Sequence, residues 1–339
     1  MKSKLDLTIH MIMLLIFFCS CSQQKDDYVI TGDYLGEEPP GEEAKLFAPA
    51  IVSTNMNEDG GPIFTPDGKE IFWRIGMAPF SVFVYMKQDN GIWSKPEIAP
   101  FSGSYSDGGL SISPDGMKIF FTSKRPFEGS EGLSKFHTWM TEKLNGNWQA
   151  PVPMGQPIDH PDDYYTRLSV PSDGTLIKQS GIAGGMGGWD LYESKFIDGK
   201  YSEPVILNGA VNTEFNEYGP TISPDGSYIV FQSDNRPDTT GSIDLYITFK
   251  LKNNNWSRGI HLGENINTVF MEHWPSLTPD GKYLFFSSNR PVEKEYGYSK
   301  QRKNLNEIKA LHEFYYLPKY GGDIYWISTI FIENLKPED

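Results

Sequence analysis

Short apolar runs rich in aromatic residues alternate along this chain with tight polar turns, and the arrangement recurs. The clearest copy runs Tyr218-Gly-Pro-Thr-Ile-Ser-Pro-Asp-Gly-Ser-Tyr-Ile-Val-Phe-Gln-Ser-Asp-Asn-Arg236. Thr221 and Ile222 lead into Ser223-Pro224-Asp225-Gly226, and Tyr228 to Gln232 lead out. This predicts two strands joined by a type I turn, in which proline presets φ and glycine enters the next strand without a Cβ clash. The same turn is written as Thr65-Pro66-Asp67-Gly68, Ser113-Pro114-Asp115-Gly116 and Thr278-Pro279-Asp280-Gly281, with a weaker copy at Pro171-Ser172-Asp173-Gly174. The Asp-Gly pairs are therefore 48, 58, 52 and 55 residues apart.

A period near 50 built of strands is the signature of a β-propeller. The outgoing strands, Ile71-Phe72-Trp73, Ile119-Phe120-Phe121, Ile229-Val230-Phe231 and Leu284-Phe285-Phe286, are continuously apolar, as strands covered on both faces are. A third element follows at Phe83-Val84-Tyr85, Asp190-Leu191-Tyr192, Asp244-Leu245-Tyr246 and Asp323-Ile324-Tyr325. A fourth begins with an aromatic residue and commonly a proline soon after (Trp93, Trp148, Tyr201, Trp256), which fits an edge strand that can spare a ladder donor. The expected fold is all-β: a single propeller of five blades, each of four antiparallel strands, over residues 45–339. The repeats fall near 55–103, 104–159, 160–212, 213–267 and 268–339. The last copy has no aromatic-proline strand of its own, so the segment 45–53 is expected to supply it and close the ring, removing two sheet edges.

Composition adds limits. Glycine (33), proline (24) and 14% aromatic residues fit a turn-rich β protein. A net charge of −14 argues against nucleic acid, which needs a basic face.

Residues 1–21 read as a targeting segment: Lys2 and Lys4, then an apolar run from Ile9 to Phe18 too short to span a bilayer. It ends in Phe18-Cys19-Ser20-Cys21, which resembles a bacterial lipobox with Cys21 as the lipidated residue; Phe18 departs from the usual Leu. Both cysteines lie here, so the rest of the chain has no thiol chemistry. The following Ser22-Gln-Gln-Lys-Asp-Asp27 is similar to the signal that sends lipoproteins to the cell surface in the Bacteroidota. The expected location is the outer membrane, exposed on the cell surface, with a periplasm-facing anchor as the alternative. Residues 22–44 read as a flexible tether.

The Ser/Thr-Pro-Asp-Gly turn, the aromatic strand, the Ser-Asp-Asn-Arg-Pro or Ser-Asn-Arg-Pro ending and the Asp-Ile/Leu-Tyr element together resemble the WD40-like Pro-Asp repeat of TolB-type β-propellers. The resemblance covers most of residues 46–330. It implies a binding platform of the bacterial envelope. No residues are left for a fused hydrolase domain, and there is no Gly-x-Ser-x-Gly elbow.

An acid lies eight residues before four of the Asp-Gly aspartates: Asp59, Asp107, Glu217 and Glu272. In blade three that position is Tyr165, with Asp162 and Asp163 just upstream. These acids are expected near the mouth of the central channel, where a carboxylate ring suits Ca²⁺ or an acid/base pair for glycoside hydrolysis. An acid repeated once per blade equally has a structural use, as do Arg125, Arg236 and Arg290, suited to carboxylate pairing between blades. The residues that break the repeat are Arg74 in blade one, Tyr164, Tyr165 and Arg167 in blade three, and Glu272, His273 and Trp274 in blade five. They are the candidate ligand-binding set. Blade three also places Lys178 on a strand that is apolar elsewhere, and an insertion near 292–321 carries helical spacing, read as a helix on the blade or a lid. The leading functional reading is a non-catalytic, monomeric platform for a protein or glycan, without a resident cofactor and touching the membrane only through its lipid. The alternatives are a carbohydrate-active enzyme and a TolB-like periplasmic component.

Overall fold

The computed structural model describes residues 29–337 except 55, 78–79, 128–134, 161–162, 164–165, 183 and 292–321. The lipobox with Cys21, Tyr164, Tyr165 and the insertion therefore lie outside the described residues.

Five antiparallel sheets form the five blades. Blade one holds Ile63–Phe64, Glu70–Met77, Phe80–Asp89 and an edge of Ile92–Trp93 and Glu97–Ile98. Blade two holds Asp107–Ile112, Lys118–Ser123, His137–Leu144 and an edge of Asn147–Trp148 and Val152–Pro153. Blade three is Leu168–Ser169, Leu176–Ser180, Asp190–Ser194 and Val205–Ile206. Blade four is Asn216–Ile222, Tyr228–Asp234, Asp244–Phe249 and Ile260–His261. Blade five takes Glu272–Leu277, Tyr283–Ser288 and Asp323–Ser328 from the end of the chain and Lys45–Leu46 from its beginning. Lys45 pairs with Trp326 and Leu46 with Tyr325, so the expected closing strand is in place. In blades one and two the edge strand is split around its proline, which cannot donate to the ladder.

The core sits between blades. Phe47, Phe285, Trp326, Phe64 and Trp73 fill the seam of blades five and one, and Phe47 meets Phe285 and Trp326 at centroid distances of 4.9 and 5.1 Å. The seam of blades two and three is thinner, built on Phe120, Ile158, Leu168 and Leu176. A polar side chain on each connection to the next blade accepts the N–H of a residue in the third strand. Ser102 holds Phe83, Asp159 holds Thr138, Asn212 holds Leu191, Asn267 holds Leu245 and Ser53 holds Ile324. Ser53 thus does for blade five, from the far end of the chain, what the chain's own connections do elsewhere.

The turns carry a second recurring bond. The hydroxyls of Thr65, Ser113, Ser223 and Thr278 donate to Asp67, Asp115, Asp225 and Asp280 at 2.5–2.7 Å. Each aspartate also accepts the N–H two residues on. Gly116 shows why the fourth position is glycine: its φ is +71°, and a Cβ would come within 2.6 Å of Pro66 in the neighbouring turn.

From residue 29 the chain expected to be a loose tether lies against the propeller. Thr31 bridges Ile92, the Gly32 carbonyl accepts from Trp93 Nε1 at 2.8 Å, and Tyr34 packs on Phe64, Tyr283 and Trp326. The glutamates and prolines suggested solvent, but Tyr34 and Leu35 among them bury an apolar pair that outweighs that composition.

Candidate functional site: the two ends of the central channel

Three of the four repeated acids do not reach the channel. Asp107, Glu217 and Glu272 are wholly enclosed, each tied to an arginine of its own blade: Arg125 (3.3 Å), Arg236 (2.7 Å) and Arg290 (3.2 Å). The guanidinium also donates to a serine on the second strand (Ser123, Ser233, Ser288) and to a carbonyl on the incoming connection (Phe101, Val211, Ile266). It lies over aromatic rings of its blade, such as Phe231 and Tyr246 beside Arg236. The pairing expected between blades is therefore a knot within each blade that fastens the connection arriving from the previous one. Side chains alternate along a strand, so an acid turned into the blade leaves its neighbour to face the axis. Burial pushes the carboxyls of Asp107 and Glu217 above their usual range despite the arginines.

Blade three ties the same knot differently. Lys178 occupies the second-strand position where Phe121, Phe231 and Phe286 stand, and its Nζ reaches Asp163 at 2.6 Å and the Ile158 carbonyl at 2.7 Å. Ser180 donates to Asp163 as Ser288 does to Glu272. Asp163, rather than the Tyr165 position, is thus the blade's acid. In blade one the corresponding acid is Glu58, bonded to Thr54 as Glu217 is to Thr213 and Glu272 to Thr268. The Thr-x-x-x-Glu spacing was the readable signal for it.

The inner strands of blades two, four and five each carry a bulge, after Gly108, Tyr218 and His273. In blades two and four the bulge residue is a glycine at positive φ, Gly109 (+59°) and Gly219 (+62°). In blade five it is Trp274, at φ +50°, a conformation that costs a side-chain-bearing residue of order 1–3 kcal/mol. Blades one and three differ in length. Glu58 and Ile63 are five positions apart, and Asp163 and Ser169 six, where Glu217 and Thr221 are four apart. Bulges re-aim side chains, and these three departures turn Asp59, Arg167 and Trp274 to the axis.

They meet at the end of the channel where the inner strands begin. Asp59, Arg74, Arg167, Trp73 and Trp274 line a cavity of about 20 Å³, room for one water. Asp59 bonds Arg74 through Oδ2 and His273 Nε2 through Oδ1, the latter at 2.9 Å and across from blade five. Arg167 lies 5.9 Å from the centroid of the Trp274 ring. Burial pushes the Asp59 carboxyl up, but Arg74, the His273 bond and Arg167 outweigh it and hold the group below its usual range. The bulge N–H groups are satisfied from the preceding blade, Gly219 by Gln179 (2.6 Å) and Trp274 by Gln232.

Toward the turn end the channel widens into a funnel of about 260 Å³ lined by all five inner strands. Its rim is formed by Pro66, Pro114, Pro224 and Pro279, its walls by Leu110, Ile112, Val170, Ile222 and Leu277, and Arg167 reaches it from the closed end.

Of the candidate set, the structure brings Arg74, Arg167 and Trp274 to one cavity, with His273 holding its carboxylate. Glu272 is turned away into its own blade, and of the proposed Ca²⁺ ligands only Asp59 faces the axis. Gln179 stood out in the sequence beside Lys178 as polar on an apolar strand, whereas nothing marked Gln232, whose role depends on which strand face turns inward.

No protein-family model matches the chain. A stretch of 59 residues, 16% of the chain, is 32% identical to a piece amounting to 4% of the endoribonuclease Dicer homolog 3b of Oryza sativa subsp. japonica, too small a share to show a family. Among solved structures, TolB from Acinetobacter baumannii matches at 17% identity and a TM-score of 0.46, over 76% of this chain and 59% of its own. A putative TolB from Agrobacterium tumefaciens matches at 17% and 0.44, over 71% and 73%. An α-L-arabinofuranosidase from Podospora anserina in complex with cellotriose matches at 12% and 0.47, over 86% and 97%. The chain spans about three fifths of the Acinetobacter protein. The five-bladed all-β architecture stands on the chain's own strand ladders, and these distant likenesses add no activity to it.

Proposed function

We propose that this chain is a non-catalytic binding platform that receives a ligand in its central channel from the turn end. The observation that carries the reading is the funnel itself: a well lined by five blades, with aliphatic walls interspersed with serine and threonine, rimmed by proline and closed by charged groups. Ligand sites take this form, an apolar concavity with few, fixed polar groups. The carboxylates argue in the same direction. Those lining the two cavities are Asp59 and Asp280, placed before and after the inner strands. A six-residue strand such as Glu272–Leu277 is about 20 Å long, whereas glycosidase carboxyl pairs stand about 5–9.5 Å apart.

The reading extends to location: a lipoprotein anchored at Cys21 and displayed on the outer membrane, resting on the lipobox-like and export-like stretches. Metabolic labelling with an alkynyl palmitate should mark the protein and fail on Cys21→Ala; equal labelling of both would end that part. The channel is tested by placing a photo-crosslinking residue at Ser172, on the rim, and at Val205, on an outer edge, in intact cells. A product specific to the rim position is expected. No rim product, or the same products from both positions, overturns the channel reading.

A further inference from the structure

The seam between blades three and four stays open at its turn end. Three residues before Trp73, Phe231 and Phe286, blades one, four and five carry Glu70, Tyr228 and Tyr283, and each helps to fill the next seam. Glu70 accepts from Lys143 Nζ of blade two at 2.6 Å, Tyr228 packs on the cluster that holds Ile332, and Tyr283 meets Tyr34 at 5.2 Å. Blade three has Thr175 there, three residues before Lys178. Lys250 of blade four stands where Lys143 stands in blade two: their N–H groups donate to the carbonyls just ahead of the second strands, Ser227 and Met117, both at 2.8 Å. Thr175 offers Lys250 no carboxylate, and the two line a cleft of about 480 Å³. Sites for small ligands span about 300–1,000 Å³.

The floor of the cleft is Trp256 and Ile177, both buried. Phe196 stands at its side, 50% exposed and backed by Tyr201 at a centroid distance of 4.9 Å. Glu193, Asn208 and Asn254 line it with side chains that have no hydrogen-bond partner among the described residues. Two carboxylates, Asp173 and Glu193, stand with two ammonium groups, Lys195 and Lys250, so the lining carries no net charge. It suits a neutral ligand whose groups donate and accept at once. A hydroxyl does both, an amide offers both, a carboxylate accepts and an ammonium donates. The exposed ring adds a flat apolar surface. A pyranose, with hydroxyls at its edge and C–H groups on its faces, has the matching chemistry.

We propose that the cleft between blades three and four binds a neutral sugar, one ring face on Phe196 and hydroxyls on Glu193, Asn208 and Asn254. This site shares only Ile222 with the funnel and stands apart from the channel reading.

The experiment is saturation-transfer NMR on the full-length protein. The probes are the methyl glycosides of glucose, galactose, mannose and N-acetylglucosamine, with glucuronate, glucosamine and acetyl-Ala-Ala-Ala-amide beside them. At least one neutral glycoside is expected to give signals on its ring protons, stronger than either charged sugar. Phe196→Ala should reduce them several-fold. Asn254→Gly should weaken them too, because it removes the amide at a φ of +62° that glycine adopts freely. Thr175→Glu is expected to close the seam by pairing with Lys250 as Glu70 does with Lys143, abolishing the signal with no fall in Tm. Ile98→Ser, on the outer edge of blade one, should leave it unchanged. No signal from any neutral glycoside, equal signals from the charged sugars, or a signal from the peptide in their place overturns the proposal. So does a signal undiminished in both Phe196→Ala and Asn254→Gly; these two exposed positions decide it even if Thr175→Glu fails to fold. A glycoside signal without a rim crosslink at Ser172 would leave this site standing and the channel reading fallen, and the reverse result would do the opposite.

Discussion

Blades four and five run in parallel through the inner strand: Glu217-Tyr218-Gly219-Pro220 in one, Glu272-His273-Trp274-Pro275 in the other. They share the enclosed glutamate, the arginine knot, the bulge and the backbone bond from the preceding blade. They differ at the bulge residue and the one before it, and that difference decides what the channel's closed end contains. The lesson is that the repeat fixes the scaffold while single residues at one irregular position write the site. Blade four shows the position as the fold alone wants it, with glycine at positive φ. Blade five accepts strain there to hold an indole over the axis.

The largest effects should come from what the two blades have in common. Arg236→Met and Arg290→Met each leave a buried glutamate unpaired, a loss of about 3–5 kcal/mol, or a fall in Tm on the order of 10 °C by calorimetry. The two should agree closely; a cost in one blade only would mean that the knots are not equivalent. Lys178→Phe should cost as much in blade three. Adding Ile182→Arg, at the position where an arginine stands two residues after the serine in blades two and five, should recover part of the loss.

Next come the substitutions that exchange the bulge residues. Gly219→Ala should destabilise by about 1–2 kcal/mol, because its Cβ would meet Gln232 Oε1 at 2.7 Å and its φ is positive. Trp274→Gly releases strain as it loses packing, so it should stay within about 1 kcal/mol of the parent while emptying the closed end. A urea titration that ranks them the other way would refute the account of Trp274 as strained.

The smallest effect lies at the turns, which both blades share. Partial burial raises the carboxyls of Asp225 and Asp280, but the Ser223 and Thr278 hydroxyls and neighbouring N–H groups outweigh it and hold both below their usual range. In Asp115 the Ser113 bond is itself the largest influence. A carboxyl lowered in the folded state stabilises above its unfolded pKa, near 3.9, and that contribution is lost as pH falls through the folded value. Asp225→Asn should therefore cost about 0.5–1.5 kcal/mol at pH 7, and the cost should begin to shrink as the pH drops below about 3.9. A constant difference from pH 7 to pH 2.5 would show that charge plays no part.

Much of this fold was legible because the sequence repeats what the fold repeats. The Pro-Asp-Gly turns, the apolar second strands and the missing edge strand pointed to five blades and to closure by residues 45–53. The site was legible in a different way, through departures: Arg74, Arg167, His273 and Trp274 stood out by breaking the pattern. What could not be read was which way side chains face. The eight-residue spacing picked Asp59 together with Asp107, Glu217 and Glu272, yet one added residue in blade one turns Asp59 to the axis and gives Glu58 the enclosed place. Lys178 looked like a flaw in an apolar strand because its partner, Asp163, stands two positions before the one that the eight-residue spacing picks.

The docking of residues 31–35 has a mechanical consequence. This segment lies at the turn end, beside Ile92, Trp93 and Tyr283. Tension applied to the chain ahead of it must first peel Gly32 from Trp93 and Tyr34 from its aromatic neighbours before any load reaches Lys45 and Leu46. The clasp that keeps the ring shut is thereby shielded from a pull on the leash.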